Sequence, residues 1–133
     1  MPTAIEEPTP SPMQRIGGTI ALRNIIDDFV KRVMNDPMIG FMFRGVDPLT
    51  LSQREFEFTA RFLGAKIEYT GRPIRDAHAR HKIMGGQFDR RRKILHDVLM
   101  DHRVPPDVRA QWLEHVDKLR AAVTLQGRGE CTD

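Results

Sequence analysis

The sequence predicts an all-α fold. Three observations carry that expectation. Apolar residues recur at helical spacing in four separate segments. Glycine, proline and asparagine or aspartate stand between those segments, where helices start and stop. No segment alternates apolar and polar residues as a half-buried strand does.

The first helix follows Gly17-Gly18, with Thr19 expected as its cap. Ile20, Leu22, Ile25, Ile26, Phe29, Val30, Val33 and Met34 supply its apolar positions, and Asn35-Asp36-Pro37 stops it. A short apolar stretch with Phe41, Met42 and Phe43 ends at Gly45. Asp47-Pro48 reads as a cap followed by proline in the first turn, opening a helix that runs to Leu63 and ends at Gly64. Leu51, Glu55, Phe58 and Phe62 are separated by steps of four, three and four, so they share one face. Glu55 interrupts that otherwise apolar stripe. A loop with short helical pieces is expected over residues 69–83. From Gly85-Gly86 a further helix turns Phe88, Ile94, Leu95, Val98 and Leu99 inward and ends near His102. Val104-Pro105-Pro106 breaks the chain, and the last helix carries Val108, Trp112, Val116, Leu119 and Val123.

The proline-rich residues 1–12 read as a disordered arm, residues 13–125 as one folded domain and residues 126–133 as a flexible tail. At 133 residues the chain is long enough for one core without staples, because a domain of this size buries roughly two thirds of its unfolded surface. The formal charge of +3 is small and interspersed, which argues against a nucleic-acid partner. No run of about 18 apolar residues suggests a membrane span, and no secretory leader is visible. Cys131 is the sole cysteine, so no disulfide forms within the chain and a cytoplasmic location is expected.

Chemistry-bearing motifs are few. No Cys/His cluster or His-Glu-x-x-His pattern points to zinc, no glycine-rich loop to phosphate, and no serine or cysteine has a plausible base. Arg90-Arg91-Arg92-Lys93 reads as a solvated basic face. His81, His96, His102 and His115 fall mostly on polar sides and read as ordinary surface histidines, and spacing alone gives His78 no greater claim.

A resemblance changes the weight of His78. Gly17-Gly18, Asp27-Asp28-Phe29, Asp36-Pro37, Phe43, Leu63-Gly64, Tyr69-Thr70-Gly71-Arg72-Pro73, His78, Ile83, Phe88 and Val104-Pro105 together resemble the pattern of group 1 truncated haemoglobins, across residues 13–125. The resemblance implies a two-over-two helical sandwich holding haem b. His78 then matches the proximal histidine that ligates iron. Phe43 matches the phenylalanine packed on the porphyrin, and Leu51, Phe58, Phe62, Ile83 and Phe88 match other positions of the pocket lining. Arg54 matches a basic position able to pair with a propionate. Phe29, Val30, Leu51 and Glu55 fall on the distal side.

That distal side departs from the family. Val30 stands where the family carries a tyrosine donor, and Glu55 where it carries a glutamine. Three arrangements of Glu55 are open at this point. It pairs with an arginine at the pocket mouth. It is buried and protonated against the haem, able to donate a hydrogen bond or to move a proton on peroxide. Or it approaches ferric iron directly or through water. Without a tyrosine donor, the expectation is modest oxygen affinity and ready oxidation, which an anionic carboxylate would reinforce.

The function the resemblance implies is reversible binding of oxygen, nitric oxide or carbon monoxide at the iron. A reductase partner is left open. The alternatives are a haem enzyme acting as a nitric oxide dioxygenase or in peroxidase-like fashion, and a haem-free globin-like sensor module.

Overall fold

A computed structural model describes residues 9–65 and 85–123. Within them five α-helices and one short 3-10 turn form, and no strand. They are α1 (Pro12–Arg15), α2 (Gly18–Met34), the 3-10 turn (Gly40–Phe43), α3 (Pro48–Phe62), α4 (Gly85–Asp101) and α5 (Pro106–Val123). No described helix is long and apolar enough to cross a membrane.

Helix α2 is the central element. It packs against α1, the 3-10 turn, α3 and α4, and α4 in turn packs against α5. Its buried residues Leu22, Ile25, Ile26, Phe29, Val30 and Val33 follow the 3.6-residue period, so one stripe meets several neighbours. Ile20, expected on that stripe, is 78% exposed. It lies two residues from Leu22, on a different side of the helix. The helix begins two residues earlier than the threonine cap predicts. Gly17 occupies the cap position at φ 109°, a left-handed conformation that a residue with a Cβ takes at a cost.

Helix α1 has no counterpart among the expected elements. Ser11 and Gln14 form a reciprocal capping box with Pro12 in the first turn, so Ser11 and Pro12 belong to the folded body rather than to an arm. Met13 is buried, and its N–H donates to the Leu63 carbonyl at 3.3 Å, tying α1 to the end of α3.

The start of α3 follows expectation. The Asp47 carboxylate accepts from the Thr50 N–H at 3.2 Å, and Pro48 takes the first position. Phe56, Thr59, Ala60 and Leu63 bury one side of α3. Between α2 and α3, Arg23 lies 3.8 Å above the Phe56 ring and donates to Gln53, which donates to the buried Glu57, both bonds at 2.7 Å.

The basic run on α4 is only partly solvated, and its arginines are paired. Successive residues of a helix point about 100° apart, so three consecutive arginines reach three different elements. Arg90 donates through two N–H groups to Asp36, after α2, at 2.6 and 2.9 Å. Arg91 donates to Glu55 on α3 at 2.9 Å. Arg92 forks onto both oxygens of Asp117 on α5 at 2.6 and 3.0 Å. Lys93 pairs with Asp97 one turn along its own helix. At the far end of α4, Asp28 binds Arg32 and His102, closing α2 onto α4.

Candidate functional site

The stripe of α3 that carries Glu55 lies at the edge of the packed core, with Leu51 and Phe62 against it. Phe58 and Phe62 are only half-buried, and with Glu55 and Thr59 they line a cleft of about 40 Å³. Ile26 and Phe29 of α2, Arg91 and Leu95 of α4, and Trp112, His115, Val116 and Leu119 of α5 complete its walls. Four helices therefore each give one face to a single slot, and most of what they give is aromatic or aliphatic.

Glu55 is paired with an arginine of α4. Its side chain is 24% exposed and accepts from the Arg91 guanidinium, whose own side chain is 28% exposed. Arg91 also lies over the Phe29 ring, 4.8 Å from its centroid.

His115 is the cleft residue that the sequence reading assigned to a polar side. Its ring lies on Phe62, centroids 4.1 Å apart and planes 11° from parallel, and stacks more loosely on Phe58 at 5.6 Å. Its Nε2 is buried and has no hydrogen-bond partner among the described residues. Burial holds the ring below the ordinary histidine value of 6.5, and the nearby Lys118 charge adds to the effect. The signal was present in the sequence: Val108, His115 and Leu119 continue a four-and-three register with Trp112.

The remaining candidate residues scatter. Phe29 lines the cleft, whereas its neighbour Val30 is 4% exposed, packed in the core and not on the cleft wall. Leu51 and Phe43 are half-buried against the core. Phe88 is buried, with Arg120 5.3 Å over its ring. Arg54 lies 3.9 Å from Glu57 on its own helix. His78 and Ile83 lie outside the described residues.

A slot with flat aromatic walls, one unpaired buried ring nitrogen and one ion pair on its wall suits a particular guest. The guest is flat and apolar over most of its area and carries polar or charged groups at an edge. Haem has that description, and the residues present fit it.

The comparisons with known proteins agree. Residues 12–125 match the family model described as bacterial-like globin. The chain is 30% identical over 102 residues to the group 1 truncated hemoglobin GlbN of Synechocystis, covering 74% of this chain and 82% of that one. It is 29% identical over 118 residues to the group 1 truncated hemoglobin GlbN of Mycolicibacterium paratuberculosis, covering 89% and 87%. Among solved structures, the Fe(III) form of truncated hemoglobin from Tetrahymena pyriformis superposes with a TM-score of 0.80 at 20% identity, over 86% of this chain and 98% of that one. The arrangement of α2 to α5 is therefore the two-over-two globin sandwich. The chain belongs to the bacterial-like globin family and, within it, to the group 1 truncated haemoglobins, whose cofactor is haem.

Proposed function

We propose that this chain holds haem b in the cleft between α2, α3, α4 and α5, with His78 as the iron's protein ligand, and reversibly binds a diatomic gas there. The observation that supports this reading most directly is the cleft itself, an aromatic slot to which all four long helices contribute. Haem supplies the iron at which oxygen, nitric oxide or carbon monoxide binds. Phe58 and Phe62 offer flat faces to the macrocycle, and Phe43, Leu51, Ile83 and Phe88 extend the apolar surround. Arg54, on the half-exposed side of α3, is the proposed partner of a propionate. Phe29 and Glu55 form the distal wall, while Val30, packed in the core, supplies no donor.

A second reading, turnover of nitric oxide or peroxide, is supported by one observation. The cleft holds a carboxylate that can accept a proton beside a guanidinium that can stabilise negative charge. With one cysteine in the chain, the proposed compartment is the cytoplasm. A reductase partner fits either reading.

The test is spectroscopic. Purified protein given haem should show a Soret band, and His78→Ala should shift or lose it in both ferric and ferrous states. No band in the wild type would remove both haem readings and favour a haem-free sensor. Identical spectra for the two proteins would remove His78 as the ligand. Stopped-flow mixing of the ferric form with peroxide, and of the oxy form with nitric oxide, separates carriage from turnover.

A further inference from the structure

We infer that Arg91 is the group that grips a guest bearing negative charge in this cleft, with Glu55 as its tether and competitor, so that the pocket favours small anions over neutral ligands. This rests on the reading of the cleft as the haem pocket.

The argument begins with what the three arginines of α4 do with their donors. A guanidinium carries five N–H groups. Arg90 directs two of them to Asp36, and Arg92 directs two to Asp117. Arg91 makes one hydrogen bond, to a single Glu55 oxygen, among the described residues. Both partners line the cleft, and both are about one quarter exposed. The Arg91 guanidinium therefore has donors left for a guest, in a cleft walled by Phe29, Phe58, Phe62 and Trp112.

Its position over the Phe29 ring matters as well. The ring face holds the guanidinium by a cation–π contact at 4.8 Å, so the cation keeps one partner when its carboxylate bond is exchanged. The exchange itself replaces one charge-assisted hydrogen bond with another. The sequence shows no distal tyrosine, since Val30 stands in its place. The structure puts a donor in the cleft from a different helix altogether. Glu55 opposes anion entry in two ways, by occupying an Arg91 donor and by placing its own negative charge beside the guest.

Two substitutions should thus act with opposite sign. In the haem-loaded ferric protein, azide affinity is read from the Soret shift on titration, with imidazole as a neutral ligand for comparison. Arg91→Leu should weaken azide by about tenfold, the size expected for one charge-assisted hydrogen bond. Arg91→Lys should fall between that variant and wild type. Glu55→Gln should tighten azide several-fold. Imidazole affinity should move less than about twofold in all three, because no formal charge is gripped. Azide affinity within twofold of wild type in Arg91→Leu, with its helical circular dichroism intact, would overturn the inference. Equal weakening of azide and imidazole would overturn it too, since that is what a merely structural arginine gives. Should Arg91→Leu lose its helicity, Arg91→Lys and Glu55→Gln decide: unchanged azide affinity in both overturns it. A wild type without a Soret band removes the haem reading and the inference together, whereas a normal band with unaltered azide binding removes the inference alone.

Discussion

His115 lies flat on Phe62, ring planes 11° from parallel, and its buried Nε2 meets no hydrogen-bond partner among the described residues. The stack suits the neutral ring, and burial holds the folded-state value below the ordinary 6.5. A histidine whose folded value is depressed contributes fully above the unfolded value. That contribution is lost as pH falls through 6.5 toward the folded value, because the unfolded chain binds the proton first. Urea midpoints should therefore fall between pH 7 and pH 5. His115→Phe keeps the stack and removes the unpaired nitrogen. It should be more stable by about 1 kcal/mol and lose less of its stability over that interval. Equal pH slopes in the two proteins would contradict the assignment.

Asp36 is the anchor of the turn after α2. Its carboxylate, 4% exposed, accepts from Arg90 and from the Met38 and Ile39 N–H groups at 2.9 and 3.1 Å. The Arg90 hydrogen bonds, followed by those backbone donors, hold it below the ordinary carboxylate value of 3.8 against the opposing effect of desolvation. Its contribution is present above 3.8 and is lost as pH drops through and below that value. Asp36→Ala leaves a guanidinium and two amides without their acceptor and should cost about 3 kcal/mol at neutral pH. Chemical denaturation measures this, and the variant should also lose part of the wild type's sensitivity to acid below pH 4. A loss under about 0.5 kcal/mol, typical of a surface site, would show the anchor to be idle.

Two glycines give opposite expectations. A Cβ on Gly40 would come within 2.7 Å of the Met34 carbonyl oxygen, which is backbone and cannot swing aside. Gly40→Ala should destabilise by about 1–3 kcal/mol. A Cβ on Gly86, in the first turn of α4, meets nothing within 4 Å. Gly86→Ala should be neutral or up to about 1 kcal/mol more stable, since alanine restricts the unfolded chain. Thermal melts of the pair check the contrast, and a shift of the same sign in both would mean that close approach is not what fixes Gly40.

Phe62 faces both the cleft and His115. Phe62→Ala removes an aromatic wall and the stacking partner together. Haem transfer to an excess of acceptor apoglobin, followed by Soret decay, should be about tenfold faster or more, given what deleting a packed ring costs. Leu49→Ala, at an 80% exposed position on the same helix, should leave the rate unchanged. Equal rates for Phe62→Ala and wild type would place the cofactor elsewhere.

The four long helices were legible because burial repeats every 3.6 residues and because Asp47-Pro48 and Gly64 carry local capping chemistry. The short α1 was not, since its capping box sits inside a proline-rich stretch that reads as disordered. The cleft was half legible. Glu55, Phe58 and Phe62 of the α3 stripe named one wall, though Leu51 of the same stripe lies off it, and the register of Trp112 with His115 could have named the α5 wall. The arginine row was misread for a different reason. The partners of Arg90, Arg91 and Arg92 lie 54, 36 and 25 residues away, and no local pattern encodes a pairing at that distance. Phe29 and Val30 show the limit of a positional match: adjacent residues on a helix point about 100° apart, so the same stretch puts one on the cleft wall and the other behind it.

That arginine row fixes α4 in register as a key is fixed by its wards. A one-residue insertion between Gly86 and Asp89 would turn the row by about 100° relative to the helix start and shift it by about 1.5 Å, so Asp36, Glu55 and Asp117 would be missed together. The same insertion beyond Lys93 would leave all three pairs in place but turn Ile94, Leu95, Val98 and Leu99 by about 100° away from the core. Length changes should thus be opposed along the whole helix, by three ion pairs in its first half and by the apolar core in its second.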